Sequence, residues 1–66
     1  MLFSSAMANN PTIGYVRGGR SGDEFEVAWN KYSGEIYVSW AGWTYVGKAY
    51  SASDAMTKAE AWLYNK

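Results

Sequence analysis

The chain has no cysteine, no histidine, only one proline and no net charge. Without thiols and imidazoles there are no disulfides, no zinc site built on those ligands, and no histidine to serve as a general base or to activate a serine. Six basic residues balance six acidic ones. That balance argues against a dedicated nucleic-acid binder, whose affinity rests largely on neutralised phosphates. No apolar run is long enough to span a membrane. The opening MLFSSAMANN is short and lacks the charged start of a secretory signal. A cytoplasmic protein is expected, with its start at Met1 or at Met7.

What the chain does have is aromatic rings: four Trp, six Tyr and two Phe in 66 residues. A chain this short buries only about 60% of its unfolded surface and is marginally stable without some added device. Each buried ring removes roughly 150–250 Å² from water, which at about 25 cal/mol/Å² amounts to several kcal/mol before entropy is counted. The aromatic excess is therefore read first as core.

The order of elements follows from periodicity. Asn9, Asn10 and Pro11 interrupt structure, and TIGYVR (12–17) then reads as a strand. DEFEVAWN alternates, with Phe25, Val27 and Trp29 on one side and Glu24, Glu26 and Ala28 on the other. EIYVSW alternates again through Ile36, Val38 and Trp40, and Ala41-Gly42 makes a tight turn into WTYVGKAY. These turns set expected registers. Arg17 falls opposite Asp23, Tyr15 opposite Phe25, and Ile13 opposite Val27. Trp29 meets Ile36, Val27 meets Val38, and Phe25 meets Trp40. Trp40 meets Trp43, Val38 meets Tyr45, and Glu35 meets Lys48. One face then carries Trp29, Trp40, Trp43 and Tyr45, with Trp40 near its centre. The other carries Val16, Glu24, Glu26, Ala28, Tyr37, Ser39, Thr44, Val46 and Lys48.

The tail SASDAMTKAEAWLYNK changes to a helical period. Ser51 or Ser53 caps it, Ser51 and Asp54 resemble a capping box, and Ala52, Ala55, Met56, Ala59, Trp62 and Leu63 share one side. The expected fold class is α+β: a four-stranded antiparallel meander with one C-terminal amphipathic helix packed on one face. Residues 1–10 form a flexible extension, and 11–66 a single β-β-β-β-α domain.

Function is approached through what this arrangement leaves uncovered. Four strands about 4.8 Å apart make a sheet wider than a helix of about 10 Å. An apolar strip flanked by Trp29, Tyr45 and Trp62 should meet residues 1–3, a partner protein, or a second copy in a homodimer. The leading reading is a small non-enzymatic interaction module, of accessory-regulator or inhibitor type, that binds protein and self-associates. The alternative is a nucleic-acid or nucleotide-binding module. It would use RGGRSG, with Arg17, Gly18, Gly19 and Arg20 gripping phosphate and Tyr15 or Tyr32 stacking a base. An enzyme is not expected: Asp23, Glu24, Glu26, Glu35, Asp54 and Glu60 form no acid–base pair, Ser51 and Ser53 lack an activating histidine, and Lys48 is engaged with Glu35. No cofactor and no metal is expected, since carboxylates alone would have to converge.

Residues 47–63, GKAYSASDAMTKAEAWL, resemble the end of a double-stranded-RNA-binding domain, with Gly47, Ser51, Ala55, Ala59 and Leu63 at the spacing of its strand–loop–helix signature. That family grips phosphate with lysines at the start of this helix. Here Ala52, Ser53 and Met56 stand in that region, and no helix precedes the sheet, so the resemblance is not carried over to function.

Overall fold

The computed structural model describes residues 10–18, 22–64 and 66. Its elements are β1 (Thr12–Gly18), β2 (Asp23–Trp29), β3 (Glu35–Ser39), β4 (Trp43–Lys48) and α1 (Ala52–Tyr64). The strands form one antiparallel sheet in the order β1-β2-β3-β4, and α1 packs on one face, chiefly along β1. The expected α+β meander is the fold. Of the expected extension, residues 1–10, positions 1–9 lie outside the described residues, as do Gly19 and Arg20, while Asn10 is buried and forms a β-bridge.

The central hairpin keeps its expected register: Val27 pairs with Val38 and Trp29 with Ile36. Both outer hairpins depart from theirs, and in the same way. Next to the first turn Arg17 pairs with Glu24 and Val16 with Phe25, one residue off the expected pairing, until Thr12 pairs with Ala28. Next to the last turn Ser39 pairs with Trp43 and Tyr37 with Tyr45, again one off, until Ile36 meets Gly47 and Glu35 meets Lys48 as expected. A bulge in each edge strand, at Ile13 in β1 and at Val46 in β4, takes up the extra residue. Bulges favour edge strands, where they twist the ladder and discourage pairing with other chains.

A one-residue slip exchanges the faces of a strand. Val16, expected outside, is 8% exposed and belongs to the core with Val27, Ile36, Val38, Ala49, Ala55, Ala59 and Leu63. Tyr15, Trp43 and Tyr45 move to the face opposite the helix. The cause at the last turn is Trp40. It leaves the ladder to place its ring 5.4 Å from Phe25 and 6.2 Å from Trp62. The turn becomes Trp40-Ala41-Gly42, with Thr44 Oγ1 donating to the Trp40 carbonyl at 2.7 Å. Trp40 thus sits at the end of the apolar face, against Phe25 and the helix, and not at its centre against Trp43.

The helix is capped as its sequence suggests: Ser51 Oγ accepts from the Asp54 amide at 3.1 Å, and Asp54 Oδ2 accepts from the Tyr50 amide at 3.4 Å. Its buried stripe is Ala55, Ala59 and Leu63, while Ala52 is exposed. Small residues bring it close to β1. A Cβ on Gly14 would lie 2.9 Å from Met56 Cε, and one on Gly18 would lie 2.7 Å from Leu63 Cβ. The sheet beside the helix is filled by half-buried Trp29, Trp40, Val46 and Trp62.

Candidate functional site

The face opposite the helix is assembled from alternate positions of all four strands. Tyr15 and Arg17 come from β1, Glu24, Glu26 and Ala28 from β2, Glu35, Tyr37 and Ser39 from β3, and Trp43, Tyr45 and Lys48 from β4. Its centre is polar and ordered. Thr12 Oγ1 donates to Glu26 Oε2, and the Glu26 amide donates to Ser39 Oγ at 2.8 Å. Ala28, paired with both Thr12 and Tyr37, is fully buried. Rings stand around this centre. Tyr37 and Tyr45 meet edge to face at 5.7 Å, a geometry the aromatic quadrupole favours. Tyr15 is 60% exposed and Tyr45 51% exposed.

The Tyr37 hydroxyl donates to Glu35 Oε1 at 3.3 Å. Its pKa lies above the ordinary tyrosine value of 10.0, first because the phenol loses solvent, then through the charge and hydrogen bond of Glu35, and last through Tyr45. Above pH 10.0 the unfolded chain releases a proton that the folded chain still holds. Stability contributed by Tyr37 is therefore present at neutral pH and is lost as pH rises through the folded value. Tyr37→Phe should flatten the alkaline limb of a stability–pH curve. An unchanged alkaline limb would show that Tyr37 does not sense Glu35.

The residues singled out by sequence do not gather in one place. Trp29 and Trp62 lie on the helix side, Trp29 with its indole Nε1 donating to the Ala49 carbonyl at 3.4 Å and Trp62 against Trp40 with Lys66 Nζ 4.3 Å from its ring. Tyr45 lies on the opposite face. Arg17 spends both arms within its own hairpin, donating to the Gly22 carbonyl at 3.0 Å and meeting Glu24 at 3.4 Å. Gly18 is the close-packing point for Leu63, which gives it a role in the core. Tyr15 shares a face with Arg17, whereas Tyr32 belongs to the turn at the other end of the sheet.

Two features were missed by sequence reasoning. Tyr15 and Trp43 join the outer rings only through the register slips, and no local pattern announces those. At the β2–β3 end, Lys31, Lys48 and Lys58 line one cleft with Tyr32 and Tyr50. Those five are scattered over 28 positions of sequence, and only the meander brings them together. Among the described residues no cluster of three or more histidine, cysteine or acidic side chains could hold a metal, and no helix is long and apolar enough to cross a membrane. The chain matches no protein-family model, no curated protein and no solved structure.

Proposed function

We propose that this chain is a small non-enzymatic interaction module that binds protein through the sheet face opposite its helix, and that its first partner is a second copy of itself. The observation that carries the reading is the set of rings Tyr15, Tyr37, Trp43 and Tyr45 on that face, with Tyr15 and Tyr45 more than half exposed. Rings of this kind are enriched at interfaces because they bring large apolar area and a polar tip at low entropic cost.

Shape and charge support self-association. The Cα trace measures 33 × 30 × 15 Å, a slab with two broad faces, one of which carries the helix. A standard interface takes about 800 Å² from each partner, which one broad side of a molecule with 4318 Å² of surface can supply. The face mixes Arg17 and Lys48 with Glu24, Glu26 and Glu35, so it presents no block of like charge to its own copy. Face-to-face packing of two sheets is a common way to bury such surfaces, and two-fold symmetry lets one patch cover itself.

Sedimentation over about a hundredfold range of concentration tests this, since association stabilises the folded state by mass action. The expected result is a monomer–dimer equilibrium, a melting temperature that rises with concentration, and a folded monomer for Tyr45→Lys. A folded monomer throughout, with a melting temperature independent of concentration, would overturn self-association.

A further inference from the structure

We infer that the cleft between the β2–β3 turn and the start of α1 is a nucleotide-phosphate site, with lysines for the phosphate and a tyrosine face for the base. Its volume is 330 Å³, and it is lined by Lys31, Tyr32, Lys48, Tyr50 and Lys58 with the small residues Ser33, Gly34 and Ala49 between them. Three of the chain's four lysines meet there, and no carboxylate is among the lining residues. A chain with no net charge has therefore concentrated positive charge at one end. Asp54 stands behind Lys58 at 3.3 Å and offsets one of the three charges, while Lys58 Nζ also donates to the Lys48 carbonyl at 2.8 Å. That bond ties the helix lysine to the end of β4 and keeps its charge at the cleft. Lys31 and Lys48 supply the remaining positive charge among the lining residues, as phosphate recognition by ammonium groups requires, with Glu35 opposite Lys48 in the ladder and just outside them.

The rings are placed for stacking. Tyr32 is 88% exposed and Tyr50 95% exposed, so neither is used by the core. Lys31 Nζ lies 5.3 Å from the Tyr32 ring centre and Lys58 Nζ 6.0 Å from that of Tyr50, so each ring already sits beside a cation. Aromatic faces beside basic side chains hold bases with little sequence preference. The turn that carries Lys31 and Tyr32 is well anchored: Asn30 Oδ1 accepts from the Tyr32 and Ser33 amides at 2.8 and 3.0 Å, and the Ala49 amide donates to the Gly34 carbonyl at 2.8 Å. The turn is thus fixed relative to β4 without using the tips of Lys31 or Tyr32. The ligand class is a phosphorylated nucleoside, free or as a unit of a single strand. The site lies at one end of the sheet and shares Lys48 alone with the tyrosine face, so its test reads out separately from self-association.

The test is amide chemical-shift titration of the full chain at low salt with ADP, with adenosine, and with a twelve-nucleotide thymidine oligomer. The expected result is saturable shifts at residues 31–34 and 48–50 with ADP, with the oligomer, or with both, and none with adenosine. Shifts with ADP assign a free nucleotide; shifts with the oligomer alone assign a single strand. Lys31→Gln with Lys48→Gln should weaken binding at least tenfold, and Tyr50→Leu severalfold; Lys31 and Tyr50 lie outside both the core and the tyrosine face, so their single variants should melt as the parent does. Absence of shifts with both phosphate ligands would overturn the site. Binding that survives the lysine pair, or maps elsewhere on the chain, would overturn it equally.

Discussion

Leu63→Ala is expected to cost about 2–5 kcal/mol, the range for emptying a fully buried aliphatic site. Leu63 is wholly inaccessible and closes the far end of the helix stripe over β1. Total stability for a chain of this length is roughly 3–10 kcal/mol, at about 0.05–0.15 kcal/mol per residue. A single truncation there consumes a large share of it. The rest of the stripe is Ala55 and Ala59, which have no side-chain length to spare for filling the void. Denaturant unfolding followed by tryptophan fluorescence should show a midpoint far below the parent's, or a chain already unfolded in buffer. A loss below about 1 kcal/mol would mean that the helix end is not docked on β1.

The second large effect is an addition. Gly18→Ala places a Cβ 2.7 Å from Leu63 Cβ, and a Cβ moves only with its backbone, so the strand end or the whole helix must shift. Overpacking of that kind typically costs about 1–3 kcal/mol. Gly14→Ala meets only the end of Met56, with Cε at 2.9 Å and Sδ at 3.3 Å, and methionine has rotatable bonds with which to step aside. Thermal melting should therefore separate the two variants, Gly18→Ala melting well below Gly14→Ala. Equal melting would contradict the closeness of helix and strand at Gly18.

The contrast between what could be read and what could not is sharpest in the strands. Strict alternation in DEFEVAW, with a turn of four residues after it, left one sensible pairing for β2 and β3, and that pairing is present. The helix was legible because Ser51, Asp54 and the alanine spacing all indicate the same start and the same buried side. The edge strands were not. The first turn holds Gly18, Gly19 and Gly22, so loops of four and of five residues fit its composition equally well, and the last turn, with Gly42 alone, accepts two residues or three. Charge offered no remedy, since Arg17 finds a carboxylate at Glu24 as readily as at Asp23. Glu35 meets Lys48 in either arrangement, because the bulge at Val46 restores that end of the ladder. What decided the last turn is tertiary: Trp40 packs between Phe25 and Trp62, residues 15 and 22 positions away in sequence. The same distance effect hid the lysine cleft, whose members carry no motif.

The rings are divided between two faces, a core set under the helix and an outer set proposed to meet a second copy. An isotope-filtered NOE spectrum on an equal mixture of labelled and unlabelled chain tests it most directly. Ring protons of Tyr15, Tyr37, Trp43 and Tyr45 should show contacts between molecules, while Trp29 and Trp62 show contacts only within one. Intermolecular contacts confined to Trp29 and Trp62, or none at concentrations where sedimentation reports a dimer, would contradict it.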